Sequence, residues 1–336
     1  MPSPALLAVD WGTSALRGAL LAADGQVLAE HAAARGLLHI APGGWAAAFE
    51  AEFGPWRQAH PELPCLMAGM VGSRQGWAEA PYCECPAGPP ELAAQLHWLQ
   101  PGRLAIVPGL STHAGGVPDV MRGEETQVFG ALQAQGLSDA TLVLPGTHSK
   151  WVTVQGGRIT GFATHMTGEC YALLRQHSIL ARTLPAHEGE SDGGADGGAD
   201  GGADDAASNA AFDAGVVQAQ QPGGLLHHLF ASRTLALFDL MPEAARLSHL
   251  SGLVIGEELR AQAAVNAANA ANAANAVTAL DRQRPVLIVG GAGLSARYQR
   301  ALATLGTAAE PASAQATWLG LMSLARAAKL LPMSAT

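Results

Sequence analysis

Two passages of the chain repeat the same order of apolar and polar positions. In the first, Ala5–Val9 is an unbroken apolar run, Asp10-Trp11-Gly12-Thr13-Ser14 is a turn-sized polar segment, and Ala15–Ala22 resumes the run. Asp24-Gly25 supplies hairpin-turn chemistry, and Val27–His31 follows as a third strand. In the second, Thr141–Leu144 leads into Pro145-Gly146-Thr147-His148-Ser149, Lys150–Val154 resumes, Gly156-Gly157 turns, and Arg158–Ala163 closes the set. A strand, a polar turn of phosphate size, a strand, a hairpin and a strand, written twice, predict an internally duplicated α/β chain. The length of 336 residues suits two domains at ~100–200 residues each.

Two low-complexity stretches interrupt this plan. Residues 189–206 hold a Gly-Gly-Ala-Asp repeat whose side chains cannot offset the entropy of ordering, which predicts a solvated acidic loop. Residues 261–276 repeat Asn-Ala-Ala, and the helix propensity of alanine predicts an exposed extension of a helix beginning near Ser248. The first stretch changes the meaning of the net charge of −9: Glu188–Asp205 carries seven acids and no base, so the remainder stands at −2. No basic footprint for nucleic acid remains. The opening MPSPALLAVDWG lacks a basic region and its apolar run stops at Asp10, so it does not read as a signal peptide. No apolar stretch reaches the ~20 residues of a membrane span, and the expected location is the cytoplasm. Cys65, Cys83, Cys85 and Cys170 are too few for a disulfide scaffold, and Cys83-x-Cys85 lacks partner ligands for a metal.

The candidate chemistry lies at the joints between strands. The Asp10–Ser14 turn offers backbone N–H groups and hydroxyls to phosphate oxygens, with the Asp10 carboxylate at hand for Mg²⁺. The second turn, Pro145–Ser149, doubles this, since two such turns facing each other suit a nucleotide's phosphates. Between them, Met121-Arg122-Gly123-Glu124-Glu125 precedes the helical stretch Val128–Gln133. A carboxylate there, Glu124 or Glu125, can take a hydroxyl proton or hold water on Mg²⁺, and Arg122 can offset developing charge. Helix capping alone would also explain the acids. The loop Gly69–Trp77 with Ala80-Pro81-Tyr82 combines small residues, an arginine and aromatics, which suits a hydroxylated, carboxylated small molecule through Ser73, Arg74, Trp77 and Tyr82; Lys150 joins this set. Near the C-terminus, the strand Val286–Val289 runs into Gly290-Gly291-Ala292-Gly293, and Glu310 follows at the spacing of a ribose-binding acid. An NAD-dependent oxidoreductase is therefore a rival. Too little chain follows Glu310 to finish a dinucleotide fold, so the glycine turn reads better as an adenosine contact. No G-x-x-x-x-G-K-[S/T] occurs, which excludes a P-loop kinase, and the protein-kinase motif set is missing as well.

Taken in order, AVDWGTSALRGAL, MAGMVGSRQGW with APY, VPGL, MRGEETQVFGA, LPGTHSKWV, MTGE, LSGLVIGEEL and GGAGLSARY resemble the 2-dehydro-3-deoxygalactonokinase family over nearly the whole chain outside the two inserts. The resemblance implies a sugar kinase/Hsp70/actin-type architecture, with two RNase H-like domains around a nucleotide cleft. Residues 1–132 would carry the first phosphate turn and the sugar-acid loops, and residues 133–336 the second turn and the adenosine side. It implies ATP and Mg²⁺ as cofactors and phosphorylation of the 6-hydroxyl of 2-dehydro-3-deoxy-D-galactonate. Gly12, Thr13 and Ser14 with Asp10 resemble the first phosphate motif, and Gly146, Thr147 and His148 the second. Gly290, Gly291 and Gly293, with Gly252 and Gly256, resemble the adenosine side. The wider superfamily carries an Asp in the second turn where this chain has Pro145, which shifts the metal role to Asp10 and the Glu124/Glu125 pair. The Gly-Glu-Glu segment also resembles exopolyphosphatase-type relatives, so a phosphohydrolase is a further alternative, and a homodimer stays open.

The first insert generates its own test. Deleting residues 189–206 is expected to leave the melting temperature and activity nearly unchanged, because closure entropy grows slowly with loop length. A drop of several degrees, or calcium-dependent stabilisation of the intact chain, would contradict a solvated loop.

Overall fold

The computed structural model describes residues 2–114, 116–185, 206–272 and 285–331. Strands β1 (Pro4–Trp11), β2 (Leu16–Ala22) and β3 (Val27–Ala33) form an antiparallel meander. Helix α1 (Trp45–Ala59) leads to β4 (Cys65–Gly69), followed by β5 (Tyr82–Glu84), α2 (Pro89–Ala94), β6 (His97–Gln100) and β7 (Leu104–Ile106). The first sheet has the order β3-β2-β1-β4-β7-β6, with β4 parallel to β1 and β7 parallel to β4. Every residue of β4 and β7 is buried, as parallel strands covered on both faces require. A small sheet, β5-β8-β9, adds β8 (Gly109–Ala114) and β9 (Val117–Met121), and the chain then enters α3 (Glu124–Gln135).

The plan then recurs. Strands β10 (Ala140–Leu144), β11 (Ser149–Gln155) and β12 (Arg158–His165) follow one another, then α4 (Thr167–His177), α5 (Ala206–Ala219), α6 (Gly224–Leu237), α7 (Glu243–Asn272), β13 (Val286–Ile288), α8 (Ala292–Thr304), β14 (Ala309–Pro311) and α9 (Ala316–Ala327). The second sheet has the order β12-β11-β10-β13-β14, with β13 parallel to β10 and β14 parallel to β13. Stripped of β6, the first sheet reads β3-β2-β1-β4-β7, the same succession of three meander strands and two parallel ones. The chain therefore has the duplicated two-domain α/β fold that the repeated sequence passages predict. Its two compact units comprise Met1–Ala140 with Val152–Ala163 and Ala312–Thr336, and Thr141–Trp151 with Thr164–Pro311.

In the first unit the core gathers Trp11, Trp45, Phe49, Phe53, Met67 and Ile106, with the Trp11 and Trp45 rings edge to face at 4.9 Å. In the second, Val143, Trp151, Phe212, Ile255 and Tyr298 form the corresponding cluster. Helix α7 begins at Glu243, a turn earlier than near Ser248, where Pro242 and an acid in the first turn favour a start. It continues to Asn272, so the first part of the Asn-Ala-Ala stretch is helical, and residues 273–276 lie outside the described residues. The acidic insert, apart from Ala206, also lies outside them. No helix among the described residues is long and apolar enough to cross a membrane.

Helices α3 and α9 meet backbone to backbone. A Cβ at Gly130 would lie 1.6 Å from the Ala316 carbonyl oxygen, and one at Gly320 would lie 1.7 Å from that of Thr126. Gly320→Ala is therefore expected to force the helices apart and lower stability by about 1–3 kcal/mol, as overpacking does, read by urea unfolding. An unchanged midpoint would show that the helices can separate without loss.

Candidate active site

The first polar turn is shaped by hydrogen bonds from behind. Residues 36–38 run past it, and the N–H groups of Gly36, Leu37 and Leu38 donate to the carbonyls of Ser14, Gly12 and Thr13 at 3.0, 3.0 and 3.1 Å. In a trans peptide the C=O and N–H point in opposite directions. With these three carbonyls turned inward, the N–H groups in the same planes, those of Thr13, Ser14 and Ala15, turn outward as an anion-binding nest. Gly36 permits the approach: a Cβ there would lie 2.3 Å from the Thr13 and Ser14 backbone.

Asp10, one residue before the end of β1, pairs with Arg17 of β2, and Arg17 Nη2 donates to Asp10 Oδ2 at 2.6 Å. Arg17 was missed by the motif reading, although a four-residue turn over 12–15 places position 17 across from position 10. Its guanidinium also lies 6.0 Å from the Trp318 ring centroid, and Trp318 Nε1 donates to Glu30 at 2.7 Å.

Gly69, at the end of β4, links this turn to the acids of α3. A Cβ at Gly69 would lie 3.4 Å from Asp10 Oδ1, and one at Gly123 would lie 3.1 Å from the Gly69 Cα. Gly123 adopts φ 104°, which turns the chain sharply into α3 and makes Glu124 and Glu125 its first two residues. Glu125 is wholly buried, and both its oxygens accept the Gly123 N–H, at 2.9 and 2.8 Å. Glu124 is half-buried, and its Oε2 accepts the Arg122 N–H at 2.9 Å. Burial, reinforced by the charge of Glu124, pushes the Glu125 carboxyl up to about 8, while the backbone N–H bonds and Arg122 oppose the shift.

Arg122 lies at the exit of β9 and its guanidinium turns toward the 72–82 loop. Nη2 donates to the Ala80 carbonyl at 2.8 Å, and the group stacks 4.4 Å from the Tyr82 ring centroid. The small sheet makes this possible, because Gly109 of β8 pairs with Tyr82 on one side and Leu110 pairs with Met121 on the other. Ser73 lies in the same loop with its hydroxyl buried. Two other expected contacts diverge from this group. The Arg74 side chain is 88% exposed and only loosely paired with Glu79 at 3.8 Å. Trp77 packs against Trp11 and Phe49 and lines, with Ile40, Pro42, Trp45 and Gln75, a pocket of about 390 Å³.

The second turn repeats the device. Glu169 N–H donates to the Thr147 carbonyl at 3.0 Å, which turns the His148 N–H outward, and a Cβ at Gly168 would lie 2.5 Å from the Gly146 oxygen. His148 Nε2 meets Glu169 Oε2 at 2.6 Å. Gly290 lies beside this turn, a Cβ there being 3.6 Å from Pro145, and Gly291 and Gly293 begin α8 without a side-chain cap. Lys150 is buried on β11, with Nζ 3.4 Å from the Thr164 hydroxyl. Gly252 and Gly256 lie within α7, where a Cβ would sit 2.1 Å from the Phe212 oxygen and 2.8 Å from the Ala219 Cβ, so the close packing of α7 on α5 by itself accounts for both glycines.

Residues 10–324 match the profile of the 2-keto-3-deoxy-galactonokinase family. The chain belongs to this family. A protein of Rhizobium meliloti named as a probable 2-dehydro-3-deoxygalactonokinase is 35% identical over 323 residues, covering 95% of this chain and 96% of its own. The 2-dehydro-3-deoxygalactonokinase of Escherichia coli K12 is 32% identical over 301 residues, covering 89% and 90%. A crystal structure from Sinorhizobium meliloti carrying the same enzyme name superposes at a TM-score of 0.77, with 33% identity, over 96% of this chain and 98% of that one. The match to a kinase family supports neither the NAD-dependent oxidoreductase nor the phosphohydrolase.

The buried Glu125 carboxyl gives the start of α3 a pH signature. Its folded pKa lies above the unfolded value of 4.5, so the folded chain holds an extra proton between about 4.5 and about 8. The associated stability is fully present below 4.5 and is lost as pH rises through about 8. Unfolding in urea across this window is expected to show Glu125→Gln gaining on the wild type with pH, by up to about 1.4 kcal/mol per pH unit. Parallel curves would contradict a protonated Glu125.

Proposed function

We propose that the chain transfers the γ-phosphoryl group of ATP to the 6-hydroxyl of 2-dehydro-3-deoxy-D-galactonate. Family membership supports the reaction, and the outward-facing nest beside Asp10 and the α3 acids is the observation that carries it to these residues. In this reading, the N–H groups of Thr13, Ser14 and Ala15 take phosphate oxygens, with Gly12 shaping the turn; the second unit's turn, with Gly146, Thr147 and His148, is taken by itself as a second phosphate-binding turn. Gly290, Gly291 and Gly293 leave backbone room for the adenosine.

A Mg²⁺ bound through a nucleotide's phosphates asks for only one or two protein carboxylates. Among the described residues no three of His, Cys, Asp and Glu gather as a cage, and Asp10, at the open end of β1, supplies one carboxylate. The residues fit the ion in that mode; when bound, it would neutralise charge on the phosphates. Glu124 is the proton acceptor for the 6-hydroxyl, because its carboxylate is part-exposed whereas that of Glu125 is buried and turned back on Gly123. Glu125 positions the segment, its buried carboxyl held on the Gly123 N–H.

Incubation with ATP, Mg²⁺ and a panel of sugar acids tests this reading. The 2-dehydro-3-deoxy acid is expected to raise ATP consumption strongly, with one sugar phosphate formed for each ATP. Glu124→Gln is expected to lower kcat by roughly 10²–10⁴-fold with little change in acceptor binding, and Asp10→Asn to abolish turnover while leaving the melting temperature unchanged. Rapid phosphate release that no sugar acid alters would overturn the kinase reading.

A further inference from the structure

Three buried polar atoms near the start of α3 have no protein partner: Arg122 Nε, Arg122 Nη1 and Ser73 Oγ. A guanidinium stays protonated at any working pH. Burying it with two donors unmet is unfavourable unless an anion completes it. The surroundings hold it in place. Ala80 O takes Nη2, Tyr82 covers one face, and a Cβ at Gly72 would lie 2.9 Å from Nη1 and 2.7 Å from Ile106. A side chain at position 72 would crowd the guanidinium.

We infer that Arg122, with the Ser73 hydroxyl, binds the carboxylate end of the sugar-acid acceptor. The inference rests on the proposed kinase reaction and assigns one end of its substrate. A carboxylate next to a 2-keto oxygen offers acceptors enough for the three unmet donors. The arrangement also orients the substrate. Arg122 turns its side chain toward the 72–82 loop, while Glu124 and Glu125, two and three residues on, begin α3 beside Gly69 and Asp10. A chain held by its acid end at Arg122 can present its far hydroxyl to those carboxylates. Arg122 thus serves acceptor recognition rather than the charge developing on the transferred phosphoryl group. Arg74, exposed in the same loop, takes no part.

The experiment compares two acceptors on each protein: the 2-keto-3-deoxy acid and its neutral C1 carboxamide. Wild type is expected to prefer the acid in kcat/KM. Arg122→Gln is expected to reduce that preference about a hundredfold, mainly through KM for the acid, as losing one partner of a buried charge-assisted pair does. Ser73→Ala leaves the stacked arginine in place and is expected to reduce the preference about tenfold, which keeps the test decisive should Arg122→Gln fail to fold. A role on the phosphoryl group would lower both acceptors equally and leave the preference intact, and that result would overturn the inference. So would a wild type without preference for the acid. A wild type showing no sugar-acid-dependent ATP consumption would instead overturn the proposed function, and the inference with it.

Discussion

The constraint on which the candidate site depends is that the carbonyls of its tight turns are satisfied from behind. A turn between two strands exposes both donors and acceptors, and a phosphate tolerates only the donors. Residues 36–38 resolve this in the first unit by consuming the carbonyls of Gly12, Thr13 and Ser14, and the start of α4 does so in the second through Glu169 N–H and the Thr147 carbonyl. Both solutions need a residue without a Cβ at the point of closest approach, Gly36 in one case and Gly168 in the other. The duplication seen in strand order therefore extends to the device that sets the polarity of each turn.

In the second unit this device is anchored by a buried carboxylate. Glu258 of α7 accepts from Ser149 Oγ at 2.8 Å, Trp151 Nε1 at 2.7 Å, Tyr298 OH at 2.6 Å and the Thr167 hydroxyl. These donors come from β11, α4 and α8, so a single side chain ties four elements together where the second turn ends at Ser149. Burial, with the charge and hydrogen bond of Glu258, drives the Tyr298 phenol well above its ordinary pKa, so it remains a donor. A carboxylate removed from water is tolerable only when its lone pairs are met, and here four donors meet them. The packing of α7 on α5 is equally demanding, since Gly215, Gly252 and Gly256 all lie at backbone contacts.

Much of this was legible in the alternation of residues, and the remainder was hidden for definite reasons. The meanders and the Val286–Val289 strand showed because continuous apolar runs bounded by Asp-Gly or Gly-Gly have few other solutions. The small sheet did not show, because β5 pairs in parallel with a strand far along the chain and its three residues alternate exposed, buried, exposed. The packing demand on Gly252 and Gly256 was hidden, because a glycine made necessary by helix packing looks the same in sequence as one made necessary by a nucleotide. Gly36 and Glu258 escaped notice because their partners, the Thr13–Ser14 backbone and residues up to 109 positions away, are set only by the fold. Arg17 differs in being recoverable, since pairing across the first turn follows from its length.

The segment from Met121 to Glu125 shows how backbone geometry divides labour among adjacent residues. Arg122 and Glu124 stand two residues apart, on either side of Gly123. The positive φ of Gly123 breaks the chain direction between them. Glu124 accepts the backbone N–H of Arg122, and the Arg122 side chain leaves toward Ala80 and Tyr82. A glycine placed between a cation and two acids thus sends their side chains in different directions. The small sheet then supplies the guanidinium with the aromatic face of Tyr82, and the Ala80 carbonyl just before it accepts from Nη2. That separation is what an enzyme needs if one end of a substrate is to be recognised by its charge and the other activated by loss of a proton.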